Sequence, residues 1–257
     1  MADRPIALVT GASSGIGAAF ARRLAERGHD LVVVARDVTR LEKLAADLPG
    51  VDVEVLAADL QQPEQLANVE ERIAAVERPV DKLVNNAGYG TAGTFHEQDV
   101  EREVGQIDLN ITALVRLSHA AATAMAERRR GGILNVGSVG SFQPGPFNAT
   151  YSATKAFVLS FSEALHEELK PLGVHVTCLC PGFTRTEFQE RAGITDTAGP
   201  GFLWQDADTV ARIGLRALDR NVAVRVAGAP NKAAVALERM LPRVAVRKTA
   251  AQVTKRF

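Results

Sequence analysis

Solid apolar runs recur along this chain, each followed by a turn and a helically spaced segment, and that alternation constrains the fold more than any other feature. Residues 6 to 10 form such a run, closed by Gly11, and residues 15 to 28 then carry Ile16, Ala19, Phe20 and Leu24 at helical spacing before Gly28. The pattern repeats with strands at 30 to 35 and 51 to 57 and a helix at 38 to 48. A further helix opens at Pro63 with Leu66, Val69, Ile73 and Val76 on one side. LVNNAG at 83 to 88 ends a fourth strand, and an alanine-rich helix is predicted over 107 to 129. GILNVGS at 132 to 138 is a fifth strand, a helix follows at 152 to 169, and HVTCLCPG at 175 to 182 is a sixth strand. A Gly-rich irregular stretch at 183 to 204, a helix at 206 to 219 and a short strand at 222 to 226 complete the pattern. Strands with no polar side must be covered on both faces, so the chain reads as a doubly wound α/β fold, a seven-stranded parallel sheet between two helical layers.

Composition narrows the function classes. Thirty basic residues balance thirty acidic ones, so no overall field draws this chain to nucleic acid. Cys178 and Cys180 lie one residue apart in an apolar run, which suits core thiols in a reducing compartment rather than a disulfide framework. His96, His119, His166 and His175 are scattered without ligand spacing, so no metal site is expected. The start reaches an apolar run without a basic leader, and no run approaches the roughly 18 apolar residues of a spanning helix. A cytoplasmic protein is expected. No linker or repeat divides residues 1 to 230, which read as one domain; residues 231 to 257 read as a separate basic extension.

In a doubly wound sheet the ligand crevice lies beyond the carboxyl ends of the strands, and phosphate chemistry belongs to the first βα turn. That turn contains Gly11, Ser13, Ser14, Gly15, Ile16 and Gly17. Gly11 permits the tight turn, Gly15 lets backbone approach a pyrophosphate, and Gly17 lets the helix pack closely, while the N–H groups of the helix start attract an anion. After the second strand stand Arg36 and Asp37. A guanidinium there binds a 2′-phosphate, helped by the hydroxyls of Ser13 and Ser14, which favours NADP(H) over NAD(H). Asp37 is a rival acceptor for ribose hydroxyls unless it caps the helix opening at Val38.

Tyr151 and Lys155 are spaced i and i+4, so a helix puts them on one face with Cβ atoms about 6 Å apart. An ammonium 4 to 5 Å from the phenol is worth roughly 3 to 4 kcal/mol at an effective dielectric of about 20. That would bring Tyr151 from a pKa of about 10 to near 7.

TGASSGIG at 10 to 17, NNAG at 85 to 88, Asn110, Ser138, YSATK at 151 to 155 and PGFTRT at 181 to 186 together resemble the short-chain dehydrogenase/reductase family, in order from residue 6 to about 226. The resemblance implies a sheet ordered 3-2-1-4-5-6-7 with a nicotinamide cofactor across it. It implies that Tyr151 protonates the substrate oxygen, Ser138 polarises the carbonyl, and Lys155 holds the nicotinamide ribose. Asn110 then keeps a water in the proton relay. Asp59 and Leu60 would contact adenine, Asn86, Ala87 and Gly88 would cradle the cofactor, and Pro181, Gly182, Thr184 and Thr186 would meet the nicotinamide amide. A family-level expectation that NADPH is held reduced implies a carbonyl reductase; an NAD-dependent alcohol dehydrogenase and a dinucleotide-binding regulatory protein are the alternatives. The same resemblance implies a homodimer or homotetramer built through the helices carrying Asn110 and Tyr151.

PFNATYSATKAF at 146 to 157, GFLWQDAD at 201 to 208 and LDRNVAVRVAG at 218 to 228 resemble the branch of long-chain 3-oxoacyl, mycolate-type and hydroxysteroid reductases. A hydrophobic carbonyl substrate is therefore expected. Phe142, Pro144, Pro146 and Phe147, with Phe183, Phe188, Phe202, Leu203 and Trp204 of a substrate loop at 183 to 205, are either its lining or ordinary packing. Residues 231 to 257 carry seven basic side chains and one acidic. Leu237, Met240 and Val244, then Val246, Ala250, Val253 and Phe257, give two short amphipathic helices broken by Pro242. Peripheral contact with a membrane surface, packing on the protein's own domain or a second subunit, and docking of an anionic acyl carrier are the three uses left open.

Overall fold

The computed structural model describes residues 4 to 192, 201 and 204 to 254. Its central sheet comprises β1 (Ile6–Thr10), β2 (Asp30–Ala35), β3 (Val53–Ala57), β4 (Val80–Asn85), β5 (Gly131–Val136), β6 (Val174–Cys180) and β9 (Val224–Val226). The order is β3-β2-β1-β4-β5-β6-β9, with every neighbouring pair parallel. This is the expected seven-stranded order, with β9 in the seventh place. Alternate residues of β1 explain the solid apolar run: Ala7 and Val9 enter one buried cluster, while Ile6 and Leu8 enter another on the opposite face.

The first cluster is filled from above by α1 (Gly15–Glu26), α2 (Val38–Ala46) and α8 (Ala207–Asp219), through Phe20, Leu24, Leu41 and Leu215. The second is filled by α3 (Pro63–Ala74), α5 (Leu114–Arg128) and α6 (Ala149–Leu169), through Leu66, Ile73, Leu117, Met125 and Leu169. Each fully buried side chain of this size contributes about 1.5 to 3 kcal/mol, so the sheet is held from both sides. Cys178 and Cys180 are free thiols in a third, smaller cluster with Val158 and Leu159, as core thiols should be.

The helix expected over 107 to 129 is longer and not uniform. It opens as α4 (Val100–Ile107), capped by the Asp99 carboxylate accepting from the Glu101 N–H at 3.1 Å, passes through a π-helical turn at 108 to 113, and continues as α5. Val100, Val104 and Ile107 face solvent, so no inward apolar stripe announced α4. Conversely, Val76 lies beyond the end of α3 and is 91% exposed. Ala75 leaves the helical region and Arg78 takes a positive φ just ahead of Pro79, which ends the helix early. Within the stretch read as irregular, β7 (Thr184–Arg185) pairs in parallel with β8 (Gln205–Asp206), and α7 (Phe188–Arg191) is a single turn. Beyond β9, α9 (Ala229–Met240) and α10 (Arg243–Thr254) flank Pro242, as the spacing predicts. Among the described residues no helix is long and apolar enough to cross a membrane.

Candidate active site

A cavity of about 1040 Å³ opens beyond the carboxyl ends of β1, β2, β4, β5 and β6. One wall is the turn between β1 and α1. Gly11 and Gly15 sit at φ +65° and +56°, a region that side-chain-bearing residues avoid. Ser13, Ser14, Gly15 and Ile16 line the cavity. Ser14 is the N-cap of α1 but makes no side-chain capping bond, and the first turn holds no acidic residue, so the helix start presents uncompensated N–H dipoles. Gly17 lies behind this wall, where a Cβ would overlap the Gly11 carbonyl oxygen and crowd the Asn86 amide.

Asn86 is the clip that holds the turn. Its Nδ2 donates to the carbonyl oxygens of Thr10 at 3.0 Å and Gly11 at 3.3 Å, and Thr10 Oγ1 accepts from the N–H groups of Asn86 and Ala87, both at 3.0 Å. Below it, Asn85 Nδ2 donates to Ser118 Oγ and Asn135 Oδ1, and Asn135 Nδ2 donates to Ser162 Oγ, so a buried polar chain ties β4 and β5 to α5 and α6. Thr10 and Asn85 belong to the quoted motifs, but Ser118, Asn135 and Ser162 do not stand out in the sequence, because single polar residues in apolar runs carry no pattern.

At the far side of the glycine turn, Arg36 lines the cavity, 72% exposed, with only a 3.8 Å approach to the Asp59 carboxylate. Asp59, buried Leu60, Ala87 and Gly88 line the same region. Asp37 accepts from the Arg40 N–H at 3.0 Å, which makes it the cap of α2 and resolves its two readings. Arg40 itself donates to both carboxylate oxygens of Glu187, at 2.9 and 2.8 Å, joining α2 to the segment after β7. No sequence signal links two residues so far apart in the chain.

Ser138, Tyr151 and Lys155 meet at the opposite end. Ser138 ends the connection from β5 and accepts from the Gly140 N–H at 3.0 Å; Tyr151 and Lys155 project from the first turns of α6. The Tyr151 phenol faces the Ser138 side chain, and its ring lies 5.5 Å from that of Phe188. Lys155 Nζ donates to the Val136 carbonyl at 2.8 Å and stands 5.7 Å from the centre of the Tyr151 ring. Asn110 lies in the π-helical turn, 1% exposed and behind the cavity wall. Its Nδ2 donates to the Tyr89 carbonyl at 2.9 Å and to Thr154 Oγ1 at 3.1 Å, and its Oδ1 accepts from the Tyr89 N–H at 3.1 Å.

The electrostatics correct one expectation. The i, i+4 spacing puts the pair together, but the ammonium is buried and turned onto the Val136 carbonyl, while the phenol is half-buried at the cavity wall. Burial pushes the Tyr151 phenol up to about 12, partly offset by the Ser138 side chain it faces, and burial pushes Lys155 down to about 8. Desolvation of the phenolate is the largest influence, and it raises Tyr151 rather than bringing it near 7.

Pro181, Gly182, Thr184 and Thr186 line the cavity after β6, beside Phe183, Phe188 and Trp204, with the Phe183 and Trp204 rings stacked at 5.3 Å. Phe142 does not line it; the Arg239 guanidinium lies over that ring at 4.9 Å. Pro144, Pro146 and Phe147 are also outside the lining, and Phe202 and Leu203 lie outside the described residues.

The family model for short chain dehydrogenase matches residues 5 to 196. A short-chain dehydrogenase from Sphingobium yanoikuyae, solved in complex with NADPH, is 42% identical with a TM-score of 0.82, over 93% of this chain and 97% of that one. A bulky-bulky ketone specific alcohol dehydrogenase from Comamonas testosteroni is 37% identical with a TM-score of 0.78, over 93% and 95%. A very-long-chain 3-oxoacyl-CoA reductase of Phaeosphaeria nodorum is 37% identical over 182 residues, which are 67% of this chain; the match spans about half, 53%, of that protein. A glycine turn clipped by Asn86, a serine, tyrosine and lysine converging on one cavity, and a family match across most of the sequence lead to one conclusion: this chain belongs to the short chain dehydrogenase family.

Proposed function

We propose that this protein is an NADPH-dependent reductase of hydrophobic ketones, with Tyr151 as the proton donor. The observation that carries the reading is the convergence of Ser138, Tyr151 and Lys155 at one end of a cavity whose other end is the glycine turn and Arg36. The residues present fit a dinucleotide. Gly11 and Gly15 hold the positive φ angles that shape the turn, the α1 start turns N–H groups without a side-chain cap toward a pyrophosphate, and Arg36, which lines the same cavity as Ser13 and Ser14, offers a weakly engaged guanidinium to a 2′-phosphate. The NADPH complex of the Sphingobium relative supports the choice of cofactor over NADH.

When bound, the reduced nicotinamide supplies a hydride to the carbonyl carbon. Tyr151 gives its phenolic proton to the carbonyl oxygen, and the Ser138 hydroxyl beside it holds that oxygen in place. A phenol pushed up to about 12 stays protonated through the neutral range, which suits reduction; the reverse reaction would need the phenolate that desolvation disfavours. Lys155 stabilises the phenolate left after proton transfer and holds the ribose side of the cofactor. Asn110 acts behind them, fixing the Tyr89 backbone and Thr154. Asp59, Leu60, Asn86, Ala87 and Gly88 form the adenosine and central walls, and Pro181, Gly182, Thr184 and Thr186 the nicotinamide wall.

Phe183, Phe188 and Trp204 make the substrate end apolar, and the names of the Comamonas and Phaeosphaeria relatives point the same way, to bulky ketones and long 3-oxoacyl chains. The exposed Val100, Val104 and Ile107 of α4 and Phe157 of α6 support assembly of two copies through these helices. Oxidation of NADPH followed against bulky aryl ketones, 3-oxoacyl thioesters and steroids tests the reading. Turnover with at least one apolar class supports it, and tight NADPH binding with no turnover on any would replace it with a regulatory role.

A further inference from the structure

We infer that the corner between α9 and α10 is a docking surface for an anionic lipid bilayer, set beside the substrate end of the cavity. The inner side of this helix pair is anchored on the domain. Asn231 and Val235 of α9 and Val246 and Ala250 of α10 are buried. Asn231 donates to the Ala227 carbonyl at 2.8 Å and packs so closely on Gly182 that a Cβ there would collide with its amide. Arg239 covers Phe142, in the 3₁₀ turn that begins next to Ser138. Gly182 and Ser138 both line the cavity, so α9 is braced against two of its walls.

The outer side is different. Leu237, Met240, Leu241 and Val244 are 62%, 82%, 44% and 52% exposed, four large apolar side chains within eight residues around Pro242. Lys232, Arg239, Arg243, Arg247 and Lys248 are exposed on the same two helices. The segment's one acidic side chain, Glu238, is half-buried, and no ion pair to Lys232, Arg239, Arg243, Arg247 or Lys248 is found among the described residues. An apolar ridge flanked by cations matches the boundary between acyl chains and phosphate head groups, where the ridge is buried and each cation meets a phosphate. A second copy fits this ridge poorly, because a two-fold contact sets five cations against the same five. The chain's neutral total conceals this surface, since residues 231 to 257 carry a net charge of plus six and the remainder minus six.

Docked this way, the protein would hold its apolar cavity walls next to the phase that dissolves a long-chain ketone. The surface itself does not depend on the reductase reading, because the test reads binding and not turnover. The full chain is floated with vesicles of phosphatidylcholine alone and with vesicles about one-third phosphatidylglycerol. Flotation with the anionic vesicles only, fading as salt shortens the screening length, is expected. Arg243→Gln with Arg247→Gln should weaken it roughly 25-fold, at about fivefold per cation. Met240→Ser with Val244→Ser should weaken it further while leaving NADPH binding and the melting temperature unchanged, since both side chains face solvent. Absence of flotation would overturn the inference, as would equal flotation with both vesicles. So would a Met240→Ser, Val244→Ser protein that floats normally but loses dimer mass, which would assign the ridge to a second copy. Salt-sensitive capture of an acidic acyl carrier without vesicle binding would likewise overturn it.

Discussion

Replacing Lys155 by Met should make this protein slower and more stable at once. The ammonium lies 5.7 Å from the centre of the Tyr151 ring, and at an effective dielectric of about 20 a pair of charges at that distance is worth about 3 kcal/mol. That is the support a phenolate loses when the charge is gone, roughly a hundredfold in the reduction rate. Lys155 is 5% exposed and its pKa is pushed from 10.5 down to about 8. The sign follows from the depressed value. The stability this group contributes is present above about 10.5 and is lost as pH falls through about 8, below which the folded protein holds a buried charge at a cost of about 3 kcal/mol. The Met variant escapes that cost at pH 7 but leaves the Val136 carbonyl without its donor, a loss of about 1 to 2 kcal/mol. A net gain of about 1 to 2 kcal/mol at neutral pH, turning into a net loss of about 1 to 2 kcal/mol above pH 10.5 where only the missing hydrogen bond counts, is expected. Urea unfolding at several pH values measures it. NADPH oxidation with a bulky ketone should show an alkaline limb near pH 8 in the parent and a flat, depressed profile in the variant. A variant that keeps the limb, or that loses stability together with activity, would refute this reasoning.

Two further predictions address the cofactor end. Gly17→Ala forces a methyl group into the Gly11 carbonyl and the Asn86 clip, so it should lower unfolding stability by about 2 kcal/mol or more and weaken NADPH binding by displacing the turn; unchanged urea midpoints would contradict the packing described. Arg36→Ala removes an exposed side chain whose one ion pair among the described residues is 3.8 Å long, so stability should hold. NADPH binding should fall roughly 10- to 100-fold, the worth of a charged hydrogen bond, with NADH binding barely altered; calorimetry showing equal losses for both would remove Arg36 from the phosphate site.

The sheet was legible because burial on both faces leaves a signature no other arrangement leaves, the solid apolar run, and Ile6 to Thr10 shows why, with alternate residues feeding opposite clusters. The glycine turn was equally legible, since positive φ at Gly11 and Gly15 is a demand that sequence expresses directly. Legibility failed where the deciding partner is distant or where the relevant face points outward. α4 hid because Val100, Val104 and Ile107 do not face the core. The Arg40 to Glu187 pair joins elements that no local pattern connects. The Tyr151 pKa was misjudged because spacing fixes where two Cβ atoms stand, not where an ammonium turns or how dry the site is; the Val136 carbonyl and burial decided both. In the C-terminal extension the inner side packs on the domain, which helical spacing alone does not separate from an outward face, and Leu237, Met240, Leu241 and Val244 remain outside.

The most direct test of the proposed chemistry is the turnover number of Tyr151→Phe with NADPH and a bulky ketone, measured beside its NADPH affinity. Phe keeps the ring against Phe188 and removes only the hydroxyl, so affinity and fold should be preserved while turnover falls about 10²- to 10⁴-fold, the usual worth of a positioned acid. Turnover within about tenfold of the parent would mean that the proton comes from another group, and the assignment of Tyr151 would fail.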